Sequence, residues 1–203
     1  MAIINQAAKE LQVKIVYYGP ALCGKTTNLV KVHENVQSAE QKGKLVSLAT
    51  SSDRTLFFDF LPIEAMAIKG FKTKFQLYTV PGQVIYNTTR QLVLRGVDGI
   101  VFVADSQYEK MAENVESFAN LEENLRALKM NLAEIPYVLQ YNKRDLPEVA
   151  PVEYMEFLLN NREVQVPTFK ASAHRCEGVF ETLNMITRML LHKYVSQGTS
   201  PTG

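Results

Sequence analysis

The chain has 203 residues, 46% hydrophobic and 21% charged, with a net charge of +1. That is enough for one domain with a full-sized core, and it excludes a protein drawn to nucleic acid or an anionic membrane by bulk charge. Its two cysteines, Cys23 and Cys176, make no disulfide framework, so a reducing cytoplasm is the default setting.

The start, Met1–Asn5, lacks the charged and apolar regions of a signal peptide, and Ala2 does not fit the usual myristoylation signal. Val13–Tyr18 is a β-branched and aromatic run ending at Gly19-Pro20, which predicts a buried strand feeding a tight loop. A helix is expected from Lys25 to about Val36, then mainly loop from Gln37 to Asp53. Thr55–Leu61 reads as a strand stopped by Pro62, and Phe71–Val80 alternates as a strand with one face on the core. The two could pair antiparallel through the Lys69-Gly70 turn region.

Beyond this the chain alternates regularly. Gly99–Ala104 predicts a buried strand, and Met111, Val115, Phe118, Leu121, Leu125 and Leu128 mark an amphipathic helix with its stripe in the core. Tyr137–Tyr141 is a strand, Pro151–Leu159 a short helix, Val166–Ala171 a last strand, and Val179, Leu183, Ile186, Leu190 and Tyr194 a closing helix. Strands alternating with helices predict an α/β fold with a mainly parallel sheet, as one domain over 1–195 with a disordered tail over 196–203. The chain end, Ser200–Gly203, is not a prenylation box, and no apolar run approaches the ~18 residues of a membrane span, so no lipid anchor is expected.

Gly19-Pro20-Ala21-Leu22-Cys23-Gly24-Lys25-Thr26 fits G-x-x-x-x-G-K-[ST] between a strand and a helix. That setting lets backbone N–H groups converge on phosphates, places Lys25 on the β- and γ-oxygens and aims the Thr26 hydroxyl at Mg²⁺, with Thr27 beside it at the positive end of the helix. A chance match occurs in about one chain of this length in a hundred. Asn142-Lys143-Arg144-Asp145 follows a strand at the sheet's carboxyl end, where α/β folds bind ligands. The Asp145 carboxylate can accept two hydrogen bonds from guanine, which adenine cannot offer, so GTP or GDP is favoured and a P-loop kinase or ATPase is not. Asn142 can tie the loops together, the Lys143 stem can cover the base, and Ala171-Ser172-Ala173 could present backbone N–H groups to guanine O6.

Longer stretches carry a narrower likeness. Lys14–Pro20, Asp53–Pro62, Gly70–Thr73, Leu77–Val84 and Val97–Asp105 resemble the MglA family of bacterial Ras-like GTPases, over about Ile3 to Tyr194. The resemblance implies a Ras-like P-loop G domain with one antiparallel edge strand on a mostly parallel sheet flanked by helices. It implies a GTP-hydrolysing switch in cell polarity and motility that uses GTP/GDP and Mg²⁺. It also implies a roadblock-type MglB activator and polar response-regulator or motility effectors, with concentration at a cell pole through such partners. Residues 37–62 would be switch I, and Pro81–Tyr86 would begin switch II, with Gly82 against the phosphates. Gln83 would orient the attacking water, Arg54 would be an arginine supplied from the protein's own switch I, and Thr55 would ligate Mg²⁺. From the residue alone, Arg54 reads more readily as a solvated switch-loop charge.

Two positions depart from common patterns. Most G domains place an aspartate where Thr79 stands, and here Asp59 could supply the missing carboxylate or be exposed on an edge strand. MglA proteins commonly read Gly-Pro-Gly, whereas this chain reads Gly19-Pro20-Ala21. The Ala21 methyl could obstruct the γ-phosphate arrangement and slow hydrolysis, leaving a GTP-binding scaffold insensitive to an activator, or it could be accommodated. Cys23 is at a helix N-terminus, a setting that lowers thiol pKa, and reads as a redox group or as a small loop filler.

Overall fold

A computed structural model describes residues 3–5, 9–36, 43–49, 55–68, 71–83 and 86–197 of the chain. The strands are β1 (Ile3–Asn5), β2 (Glu10–Tyr18), β3 (Val46–Ala49), β4 (Thr55–Ile68), β5 (Phe71–Thr79), β6 (Gly99–Asp105), β7 (Tyr137–Asn142) and β8 (Thr168–Lys170). The helices are α1 (Lys25–Asn35), α2 (Asn87–Leu94), α3 (Met111–Ala127), α4 (Val152–Leu159) and α5 (Val179–Gln197). The sheet order is β3-β4-β5-β2-β6-β7-β8, with β1 paired to the start of β2. From β5 to β8 every pair is parallel, while β3–β4, β4–β5 and β1–β2 are antiparallel.

Residues of β6 and β7 are buried throughout, as central parallel strands covered on both faces must be. One face of the sheet packs Tyr17, Leu77, Val101 and Val103 against Leu29 and Val32 of α1 and Leu183, Ile186 and Leu190 of α5. The other packs Val16, Tyr18, Ile100 and Phe102 against Val93 of α2, Phe118, Leu121 and Leu125 of α3, and Met155 and Leu159 of α4. The alternation of β2 divides between these two cores.

Four details differ from the sequence reading. Within the region expected as loop, Val46–Ala49 forms β3, which pairs outside β4, so β4 is not the sheet's edge. Strand β4 also does not stop at Pro62 but continues to Ile68, with Pro62 opposite Gln76 of β5. The Pro62 carbonyl accepts a hydrogen bond from Gly43 N at 2.9 Å. In an antiparallel ladder the ring nitrogen faces that same flank, so no bond to β5 is lost. Val115 is 41% exposed, while Asn114, Ser117, Asn120 and Asn124 occupy the buried face of α3 beside its apolar stripe. Helix α5 extends to Gln197, and residues 198–203 lie outside the described residues.

Candidate functional site

The loop after β2 is shaped by two glycines in backbone conformations that side chains rarely adopt, Gly19 at φ +146° and Gly24 at φ +101°. A Cβ on Gly19 would strike the Val103 carbonyl, and one on Gly24 would strike the Asn142 side-chain nitrogen. The loop is thus pressed against β6 and the end of β7, with its backbone curved as a phosphate cradle requires. Ala21 is not among the residues with positive φ, so its methyl brings no backbone strain. Steric contact is another matter. A Cβ on Gly82 would collide with Ala21 Cα and lie 2.7 Å from Ala21 N, so the two backbones already touch.

Lys25 is buried at the start of α1, with Nζ donating to the carbonyls of Gly19 at 3.0 Å and Pro20 at 2.5 Å. Burial lowers its pKa, opposed by the Cys23 sulfur nearby. Cys23 itself is fully buried and burial pushes its thiol pKa up, the reverse of the helix-terminus expectation. It fills the loop.

Beside the loop, one carboxylate gathers two hydroxyls. Asp59 Oδ2 accepts from Thr26 Oγ1 at 2.5 Å and from Thr79 Oγ1 at 2.8 Å, and Thr79 Oγ1 in turn accepts from Asp59 N at 2.8 Å. Asp59 and Thr79 are fully buried. Asp59 is therefore not an exposed edge residue. Pairing of Phe60 with Tyr78 puts it directly across from Thr79, with β3 on its other side. A set of hard oxygen donors with one charge at the foot of a phosphate loop fits Mg²⁺. Thr55 opens β4, its side chain outside the described residues, and Arg54 lies outside them altogether.

Asn142 is the bracket between loops. Its Nδ2 donates to Cys23 O at 2.8 Å, and its Oδ1 accepts from Ala173 N at 2.8 Å. Lys143 takes a positive φ of 66° and pairs its ammonium with buried Asp105 at 2.6 Å, which fixes its stem along the loop. Asp105 was not foreseen; its signal is an acid at the end of an otherwise apolar strand. The backbone N–H groups of Ala171, Ser172 and Ala173 are all engaged internally, by Tyr141 O, Glu177 O and Asn142 Oδ1. Ser172 instead reaches the site through its hydroxyl, whose bond to Asp145 is the main cause of a carboxyl pKa below its ordinary value, with Arg175 and His174 adding to it. A group lowered on folding contributes stability above its unfolded pKa and loses it as pH falls through the folded value. Ser172→Ala is expected to move the Asp145 titration to higher pH in a carboxyl ¹³C NMR experiment. An unmoved titration would rule out the hydroxyl as the cause.

Among the described residues no helix is long and apolar enough to cross a membrane. A family model described as the Ras family matches residues 14–192. The chain is 55% identical over 191 residues to the mutual gliding-motility protein MglA of Myxococcus xanthus, covering 94% of this chain and 96% of that one. It is 25% identical over 181 residues to the Ras-related protein Rab-13 of Canis lupus familiaris, covering 89% and 80%. Rab-13 of Bos taurus is 29% identical over 140 residues, covering 68% and 66%. With the phosphate loop, its buried lysine and the bracketed base motif in one place, the chain belongs to the Ras family of small GTPases, in the group of MglA, and is a GTP-hydrolysing switch.

Proposed function

We propose that this GTPase controls cell polarity and motility, cycling between GTP and GDP and engaging a roadblock-type MglB-like activator and polar response-regulator or motility effectors. The identity of 55% with a mutual gliding-motility protein over almost the whole chain carries this reading. The acting unit is one domain, residues 1–195, closed by α5, which itself runs to Gln197. The protein is cytoplasmic and gathers at a cell pole only through partners.

In the site, Gly19, Ala21, Cys23, Gly24, Lys25, Thr26 and Thr27 hold the phosphates, with Gly82 closing from the other side. Asn142, Lys143, Asp145, Ser172 and Ala173 line the base site, Ala173 through its bond to Asn142 Oδ1. Asp145 accepts from guanine, Asn142 keeps the two loops in register, and the Ser172 hydroxyl stands beside the Asp145 carboxylate. Thr26 and Thr55 would hold Mg²⁺, with Asp59 and Thr79 as the neighbouring oxygens that would hydrogen-bond at its edge. Bound Mg²⁺ supplies charge neutralisation on the β- and γ-phosphate oxygens. Gln83 orients the attacking water, and Arg54 neutralises charge that develops in the transition state. That arginine is worth roughly 10³–10⁵ in rate for G domains in general.

Phosphate release from GTP under single turnover tests these roles. Gln83→Ala and Arg54→Ala are each expected to lower the rate at least tenfold while leaving GTP affinity within a few-fold. Equal rates for native protein and both variants would remove these residues from the reaction. In a second reading, which the approach of Gly82 to the Ala21 backbone does not itself favour, the Ala21 methyl slows hydrolysis and leaves a GTP-loaded binding module. Ala21→Gly is then expected to raise both basal and MglB-stimulated turnover, and unchanged turnover would mean that the methyl is accommodated.

A further inference from the structure

The largest fully buried side chain in the described protein is that of Arg90 in α2. An interior guanidinium is ordinarily met by a carboxylate, because moving its charge out of water is costly. Among the described residues Arg90 has only neutral hydrogen-bond partners. Its Nε donates to Pro81 O at 2.9 Å and one terminal nitrogen to Gly82 O at 2.6 Å. The other terminal nitrogen donates to Asn120 Oδ1 at 2.5 Å and to the Tyr18 hydroxyl at 3.3 Å, and the guanidinium lies 5.2 Å from the Tyr18 ring centre. The two carbonyls belong to the residues immediately before Gln83.

The acceptors are themselves held. Asn120 Oδ1 accepts from the Tyr18 hydroxyl at 2.7 Å, and Asn124 Nδ2 donates to that hydroxyl at 3.0 Å and to Asn87 Oδ1 at 2.7 Å. Gln91 Nε2 donates to Asn124 Oδ1 at 2.9 Å. A network across β2, α2 and α3 therefore fixes where the guanidinium stands. Packing does less to locate the segment it grips. Gly82 and Gln83 border a cavity of about 360 Å³, lined also by Pro20, Ala21, Arg90, Ser117 and the acids Glu113 and Glu116, neither of which hydrogen-bonds the guanidinium. A well-filled apolar side chain would stabilise this interior at least as well as an arginine. What only a planar, multi-donor cation provides is a simultaneous grip on two successive carbonyls.

We propose that Arg90 is the positioning residue for Gln83, clamping the Pro81 and Gly82 carbonyls from a platform made by Tyr18, Asn120 and Asn124. The proposal rests on Gln83 being the water-orienting residue. A displacement of about 1 Å at such a group can lower a rate a hundredfold. Arg90→Lys keeps the charge but places one ammonium where two carbonyls need separate donors.

The experiment combines single-turnover GTP hydrolysis with amide hydrogen exchange over residues 82–86, for the native protein, Arg90→Lys, Gln83→Ala and the double variant. Arg90→Lys is expected to lower the rate roughly tenfold or more, to speed exchange over 82–86 and to leave GDP affinity within twofold. In the Gln83→Ala background it should change the rate less than twofold, because its action passes through that glutamine. An equal loss in both backgrounds, or native exchange and turnover in Arg90→Lys, would overturn the proposal. Native turnover in Gln83→Ala with fast exchange in Arg90→Lys would sink the glutamine assignment and uphold the clamp. If Arg90→Lys fails to fold, Asn120→Ala removes one acceptor and keeps both carbonyl bonds. It should show the same non-additivity at smaller size, and native exchange in that variant would overturn the clamp.

Discussion

Asp59→Asn is expected to weaken GTP binding by up to about a hundredfold in Mg²⁺ and by less than threefold in EDTA. The carboxylate is fully buried and holds the hydroxyls of Thr26 and Thr79 on one oxygen. With Mg²⁺ bound, the carboxylate would add one charge-assisted hydrogen bond at the metal's edge, worth about 1.5–3 kcal/mol, and the neutral amide removes up to about 3 kcal/mol of that without touching the metal-free state. That corresponds to up to about two powers of ten in affinity. Thr79 is where most G domains carry their aspartate, and it faces Asp59 across the β4–β5 pair. Moving the charge across, as Asp59→Asn with Thr79→Asp, should restore most of the Mg²⁺-dependent affinity, because the asparagine amide can then donate to the new carboxylate. Titration of a fluorescent GTP analogue against Mg²⁺ reads both. A loss of the same size with and without Mg²⁺ would show that Asp59 supports the strand and not the metal.

Gly24→Ala should lower the melting temperature by roughly 5–20 °C and GTP affinity by two or more powers of ten. A residue other than glycine at φ +101° carries about 1–3 kcal/mol of backbone strain. The added Cβ would also drive the Asn142 amide from Cys23 O, leaving a buried donor unsatisfied at about 1–3 kcal/mol more. For a domain of this size each kcal/mol shifts the melting point by about 2–4 °C. Affinity falls further than stability because Asn142 also holds Ala173 N, so one displaced side chain loosens the phosphate loop and the base loop together. Asn142→Ala should reproduce the loss of binding with a smaller drop in melting temperature. GTP binding by Gly24→Ala within fivefold of native would refute this account of the loop.

The phosphate loop and the base motif were legible in the chain because both are local. A strand, a glycine-rich turn and a helix start, or a strand followed by Asn-Lys-x-Asp, place their chemistry within a few residues. Periodicity likewise revealed the central strands and the long helices, since burial on one or both faces leaves its mark along the sequence. Asp59 was legible only as a question. Its neighbours at residues 26 and 79 are 33 and 20 positions away, and only strand pairing puts them at one oxygen.

Other features lay beyond any local reading. Pro62 reads as a strand stop until Gly43 is seen to occupy the flank to which its missing N–H would point. Cys23 reads from the sequence first as a loop filler and only second as a redox thiol, and burial bears on that choice because desolvation outweighs the pull of Lys25. Arg90 and the asparagines of α3 have the composition of a solvated surface. They are buried because three elements converge on the same polar pocket. Sequence by itself determined the fold class, the nucleotide motifs and the order of elements, all set by short-range pattern. Tertiary structure alone decided which oxygens surround the metal site, which loops one asparagine joins and what an interior arginine grips, since those depend on distances between residues that the chain keeps far apart.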